Sequence, residues 1–272
     1  MTDTTFILKN AAKKVVSVII VIAVVLVCFY NLWLKHQYTV PILMYHGVNE
    51  GSNESLSVSP DNFKRQIAYI KWRGYDVISL DELVEGINSG KKFKHNTVVI
   101  TFDDGYQDNY KNAYPVLKNY SFPATIFLIS DYIDTKQGHL KWNQIKEMLA
   151  ESKITFGGHT KTDTYLPEAR NSAHLRNEIV ICKKDIEVNT GEEVKYFCYP
   201  TGGFTQAAKE IIKEAGYKGA CTTNRGFVRL NKDVYELKRI KIKNSDLVEK
   251  PLSFWAKLSG YYNIFRKGKN PY

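Results

Sequence analysis

The chain has 272 residues, 44% hydrophobic and 13% aromatic, with a formal charge of +10. That length suits one domain of about 200–250 residues plus an appendage, and the aromatic content supplies it with a core. Four cysteines without a CxxC spacing give no support to a cysteine-ligated zinc, and the positive excess favours anionic surroundings such as phospholipid head groups or acidic wall polymers, with nucleic acid alike on charge alone.

Val15 to Leu34 is a run of 20 residues without a charged side chain, broken by only two strongly polar residues, Ser17 and Asn31. At 1.5 Å per residue a helix of this length spans roughly 30 Å, the thickness of a hydrocarbon core. Tyr30 and Trp33 stand where an interfacial belt would lie. Lys9, Lys13 and Lys14 precede the run and only Lys35 follows closely, which predicts a cytoplasmic N-terminus and an exported remainder, and removes nucleic acid as a partner. A cleaved signal peptide is the weaker reading, because the run is long and no small-x-small pattern follows Leu34. Outside the run lie Cys182, Cys198 and Cys221, an odd number that permits at most one disulfide.

A short stalk, 35–40, leads to a strand at Pro41–Tyr45, a polar loop at Asn49–Ser59 and a helix opened by Ser59 as N-cap and Pro60 at its first position. The pattern then repeats: strand 77–79, helix 80–88, strand 97–102, helix 109–120, strand 124–129, helix 143–150, strand 154–156, helix 172–189, strand 196–199, helix 204–215, strand 219–223 and a last strand 237–242. About seven βα units without a glycine-rich nucleotide turn predict an α/β fold, a distorted, complete or incomplete (β/α)7-type barrel preceded by one transmembrane helix. The predicted layout is a cytoplasmic segment 1–14, an anchor 15–34, the stalk 35–40, a barrel domain 41–245, and a tail 246–272 whose final stretch, Ser253–Tyr272, is basic, aromatic and free of acids. Such a tail suits an anionic membrane surface, or packs its rings partly on the barrel.

Strand 97–102 runs into Asp103-Asp104-Gly105, two carboxylates at the end of a buried parallel strand, where α/β proteins bind ligands. On extended backbone adjacent residues point to different sides, so one carboxylate can hold a cation while the other faces substrate. Taken alone the pair reads as a turn or an N-cap. A second polar cluster shifts that balance: Gly157-Gly158 leads into His159, and Asp163 follows four residues later, on the same face if the segment is helical. Asp104, His159 and Asp163 then form a candidate divalent-metal triad.

At these residues the chain resembles the polysaccharide deacetylases of the NodB homology, or carbohydrate esterase family 4, class. The resemblance covers roughly 38–245 and rests on Thr101-Phe102-Asp103-Asp104-Gly105, on Gly158-His159-Thr160 with Leu166, on Phe197-Cys198-Tyr199-Pro200-Thr201-Gly202, and on Pro41-Ile42-Leu43-Met44-Tyr45-His46, the last resembling members that act on poly-N-acetylglucosamine. It implies Asp103 as general base, Asp104 and His159 as ligands of one divalent metal, and the Tyr199 backbone N–H at the oxyanion. The implied metal is zinc first, with cobalt, nickel or manganese as alternatives. Family members usually carry a second histidine where this chain has Asp163, and the late Leu-x-His acid is missing because no histidine follows His174. In the poly-N-acetylglucosamine branch the acid comes from the early Tyr-His segment, which nominates His46. Arg239, on the last strand, is the candidate for a cation that orients the base. The implied activity is removal of N-acetyl groups from an N-acetylglucosamine polymer, β-1,6-linked exopolysaccharide before peptidoglycan, by a cell-membrane protein with its catalytic domain outside. The alternative is a catalytically silent carbohydrate-binding module whose metal site Asp163 has weakened.

Overall fold

The computed structural model describes residues 2–51, 56–224 and 231–266. They fall into two compact units, one up to Tyr38 and one from Thr39 onward. The first consists of helix α1 (Thr2–Leu32) and a 3-10 turn at Leu34–Gln37. The two polar residues of its apolar run turn back on the helix: Ser17 Oγ donates to the Lys13 carbonyl and Asn31 Nδ2 to that of Val27, both at 2.9 Å. Over that run the helix satisfies its own polar side chains.

The second unit is an α/β barrel. In chain order it contains β1 (Ile42–Tyr45), β2 (Gly47–Val48), β3 (Ser57–Val58), α2 (Pro60–Trp72), β4 (Asp76–Val77), α3 (Leu80–Asn88), β5 (Thr97–Phe102), α4 (Tyr114–Tyr120), β6 (Ala124–Leu128), α5 (Trp142–Glu151), β7 (Ile154–Gly158), α6 (Ser172–Thr190), β8 (Tyr196–Cys198), α7 (Gln206–Glu214), β9 (Gly219–Thr222), β10 (Leu237–Lys238), β11 (Ile240–Lys241) and α8 (Pro251–Leu258). The main sheet runs β10-β9-β8-β7-β6-β5-β1-β11, parallel throughout, with β4 added beside the start of β5. β10 and β11 are successive halves of one segment: Leu237 pairs with Cys221 of β9 and Ile240 with Leu43 of β1. One segment thus joins both ends of the sheet, giving the distorted, nearly closed barrel.

The elements form for local reasons. Ser59 caps α2, accepting from the Asn62 amide at 3.3 Å, and Pro60 occupies the first turn. Ser79 and Glu82 close a reciprocal capping box on α3. All six residues of β5 are buried, as a strand covered on both faces requires. The predicted helix 109–120 opens instead with a π-turn at Asn109–Ala113, because Asn109 and Asp108 are engaged by the segment after β1. β7 runs two residues past its predicted end, through Gly157 and Gly158. Glycine is required there by close approach: a Cβ on Gly157 would lie 2.7 Å from the Tyr196 carbonyl oxygen and 2.5 Å from the Phe127 ring.

The segment from 246 to 266 packs into the same unit, with Phe254 and Leu258 of α8 in the core. Lys267, Lys269 and Tyr272 of the predicted tail lie outside the described residues. Gly157→Ala is expected to cost about 1–3 kcal/mol of stability through this overpacking, read as a lower denaturant midpoint with an unchanged slope.

Candidate active site

The two acids after β5 do not splay apart as extended backbone would place them. Asp104 adopts the left-handed region at φ 70, which an aspartate tolerates better than most residues, and Gly105 follows at φ 67. This reversal keeps both carboxylates on the same rim. Asp103 is buried and meets Arg239 in a bidentate pair, Nη1 to Oδ1 at 2.5 Å and Nη2 to Oδ2 at 2.7 Å. Burial alone would raise the Asp103 pKa, but the Arg239 guanidinium overrides it and holds the carboxyl well below the usual range. Arg239 reaches this position because it stands between β10 and β11, and its side chain also donates to Thr101 Oγ1 at 3.1 Å.

His159 follows β7 and is buried. Its Nδ1 lies 2.8 Å from the Cys198 carbonyl oxygen, which fixes the ring and directs Nε2 toward Asp104 Oδ1 at 3.3 Å. Burial opposes charge on this ring, yet the Asp104 and Asp103 carboxylates beside it raise its pKa well above the ordinary value. The segment 159–163 is a loop and not the helical turn that the i, i+4 spacing suggested. Two left-handed residues, Thr160 at φ 66 and Asp163 at φ 67, fold it so that Asp163 returns to the site. Ligand atoms of Asp104, His159 and Asp163 all lie within 4.8 Å of one another. Burial, more than its neighbours, raises the Asp163 pKa.

Sequence reasoning missed the residue that holds this loop. Glu178 of α6 is buried, its carboxylate accepting from the Thr162 amide at 2.9 Å and the Thr162 hydroxyl at 2.8 Å, while its backbone carbonyl accepts from the Lys161 amide at 3.0 Å. The signal was present: Glu178 interrupts the buried stripe of Leu175, Ile179, Cys182 and Ile186 on α6. Tyr106, three residues after Asp103, was also passed over. Burial, and then the Asp104 carboxylate, raise its hydroxyl's pKa, and its ring packs on the buried His139, centroids 5.2 Å apart.

His46 follows β1, with Nε2 3.8 Å from Asp103 Oδ2. Asn109 holds the His46 carbonyl oxygen at 2.8 Å, and Asp108 accepts from the Val48 amide at 2.9 Å, so the π-turn fixes the histidine segment. Burial pushes the His46 pKa down against the raising pull of Asp103 and Asp104. Tyr199 does not fit the role the resemblance implied. Its amide donates to the Cys221 carbonyl at 3.0 Å within the sheet, its ring is fully buried, and its hydroxyl bonds the Tyr235 carbonyl at 3.1 Å. The Gly202 and Gly203 amides are likewise bonded, to the Tyr199 and Pro200 carbonyls. Cys198 and Cys221 are register partners on adjacent strands, and both are free thiols.

Asp103, Asp104, His46, His159, Asp163 and Arg239 therefore converge on one rim. Two donor sets there could hold a metal, Asp104-His159-Asp163 and Asp103-His159-Cys198. The first fits better: Arg239 occupies both Asp103 oxygens, and burial keeps the Cys198 thiol protonated. An imidazole nitrogen among carboxylates, with its other nitrogen anchored on a carbonyl, is a donor set suited to a divalent cation.

The family model described as polysaccharide deacetylase matches residues 90–220. The Bacillus subtilis protein YxkH, whose name places it among polysaccharide deacetylases, is 32% identical over 212 residues, covering 77% of this chain and 74% of that one. The chain belongs to the polysaccharide deacetylase family. A poly-β-1,6-N-acetyl-D-glucosamine N-deacetylase of Staphylococcus epidermidis is 29% identical over 228 residues, 79% of this chain and 78% of that one. A Streptococcus pyogenes deacetylase solved in complex with acetate superposes with a TM-score of 0.72 at 28% identity, covering 79% of this chain and 97% of that one. The rim residues thus belong to a deacetylase barrel.

In this deacetylase Arg239→Gln is expected to cost about 3–5 kcal/mol at neutral pH, because it leaves the Asp103 carboxylate buried and unpaired. The folded pKa of Asp103 lies below its unfolded value of about 3.9, so the pair's stabilisation is present above that pH and is lost as pH falls through the folded value. Urea unfolding across pH should show the deficit of the variant narrowing below about pH 4.

Proposed function

We propose that the protein is a metal-dependent hydrolase that removes N-acetyl groups from N-acetylglucosamine residues of an extracellular or cell-wall polysaccharide, with a β-1,6-linked polymer favoured over peptidoglycan. The observation that carries this reading is the gathering of Asp104, His159 and Asp163 within 4.8 Å of one another, beside an ionised Asp103 and His46. The name of the Staphylococcus epidermidis relative supports the substrate class.

Asp104, His159 and Asp163 would hold the divalent ion, zinc first, with cobalt, nickel or manganese as alternatives. Bound there, the ion supplies Lewis acidity toward the acetyl carbonyl. Asp103, kept ionised and oriented by Arg239, takes a proton from water as the water oxygen attacks the carbonyl carbon. His46 then delivers a proton to the sugar nitrogen as the carbon–nitrogen bond breaks, giving acetate and a free amine. Its depressed pKa makes a proton on His46 easy to release. With the Tyr199, Gly202 and Gly203 amides committed and Pro200 without an N–H, the Thr201 amide is the donor left on this turn for the developing oxyanion. Thr201 is exposed on the rim at φ 51.

α1 suits a single-pass anchor with the N-terminus in the cytoplasm and the hydrolase outside. On this reading the mature protein retains residues 1–34, which intact-mass measurement on membrane fractions checks.

The deciding measurement is acetate release from β-1,6- and β-1,4-linked N-acetylglucosamine oligomers, with and without added metal. Release should be chelator-sensitive and greater on the β-1,6 series. Asp104→Ala should lower it by more than about a hundredfold, whereas Asp163→His should retain or raise activity with zinc. Chelator-insensitive silence on both series, with no bound divalent ion, would point to a carbohydrate-binding module on the same barrel.

A further inference from the structure

Helix α8 is inverted for a surface helix. Its one charged residue, Lys257, points inward and is buried, with Nζ 2.5 Å from Asp246 Oδ2 and 2.8 Å from the Lys241 carbonyl. Its outward positions are apolar: Leu252 is 79% exposed and Trp255, one turn later, 51% exposed. Pro251 shares that exposed side, and Val248 just before the helix is 44% exposed. Elsewhere a solvent-facing helix carries its charges outward and its apolar stripe inward. The neighbouring end of α2 adds Trp72, 75% exposed, linked to α8 through Tyr69, whose ring contacts both Trp72 and Phe254. Leu247 is held at φ 75, an unfavourable conformation for a bulky aliphatic residue, in the turn that exposes Val248.

We propose that this outer face of α8, with Val248, docks into the headgroup layer of an anionic membrane and seats the deacetylase domain on the bilayer surface. The inference rests on the membrane-anchor reading of α1. Two observations select lipid over another protein as the occupant. The catalytic unit begins at Thr39, whose amide bonds the Gly260 carbonyl at 3.2 Å, two residues beyond the end of α8. Only residues 35–38 separate Thr39 from the apolar run, at most about 15 Å of extended chain, so the end of α8 is tethered close to the bilayer. The second is charge. Lys243 and Lys250 flank the patch with only Glu249 among the exposed acids of that stretch, and Arg73 follows Trp72. Exposed apolar and indole side chains with cations as chain neighbours are the composition of an interfacial contact on anionic lipid.

The test uses the full chain in nanodiscs containing phosphatidylglycerol, with acyl chains either plain or brominated near the headgroup. Subtracting the emission of Trp255→Phe from that of the wild type isolates Trp255. Its emission is expected to fall at least about twofold in brominated discs, and Leu252→Glu should largely restore it while acetate release from soluble oligomers stays unchanged. The proposal is overturned if Trp255 emission is the same in both lipids while Trp33 is quenched, since the anchor then holds without the docking. It is equally overturned if Trp255 is shielded from aqueous acrylamide but insensitive to bromine, the outcome for a second copy covering the face. If Trp33 is unquenched as well, the anchor reading itself fails and takes the docking with it.

Discussion

The buried pair between Asp103 and Arg239 is the interaction on which the rest of this molecule depends. A carboxylate this deep in a barrel would ordinarily take up a proton. The guanidinium prevents that by meeting both oxygens, so burial and ionisation coexist. Neither partner could be buried alone at tolerable cost. Arg239 arrives from the segment that pairs with β9 on one side and β1 on the other, so the charge that keeps Asp103 ionised is carried by the strand that joins the two ends of the sheet. The electrostatics of the rim and the closure of the barrel are one structural event.

The rest of the rim is organised around that pair by backbone devices. Left-handed residues at Asp104, Thr160 and Asp163 turn side chains into a space that regular strand or helix geometry would have left them facing away from. Such conformations persist where surrounding bonds over-determine them. Glu178 supplies those bonds for the loop after β7, and Asn109 with Asp108 supplies them for the segment carrying His46. These two rim segments are therefore each tied to a neighbouring element, α6 or the π-turn before α4.

Much of the barrel was legible in the sequence because parallel strands buried on both faces must be continuous apolar runs, and because Ser59 and Ser79 mark helix starts by their caps. The α3 and β5 boundaries were read to the residue. That Asp104, His159 and Asp163 come together was also legible, since the two acids ending a buried strand are followed by a second polar cluster after another apolar run. What could not be read was geometry that breaks periodicity. Spacing placed His159 and Asp163 on one helical face, and they meet through a loop instead. Tyr199 was assigned an amide role that the register of β8 against β9 forbids, because pairing across strands is not encoded locally. Glu178 lies nineteen positions past His159, and only its intrusion into an apolar stripe betrays it.

The late position of Arg239 along the chain has a consequence for how the enzyme comes into being. The acids and the imidazoles of the rim all lie within the residues up to position 163, whereas the guanidinium that meets the first acid stands 136 positions after it. Before that residue is in place the sheet is unjoined and the aspartate at 103 has no fixed counterion, so the rim is unassembled. A polypeptide cut short ahead of position 239 would keep every other rim side chain and still lack the charge that fixes the first of them, so synthesis nearly to the end is a condition for a finished site.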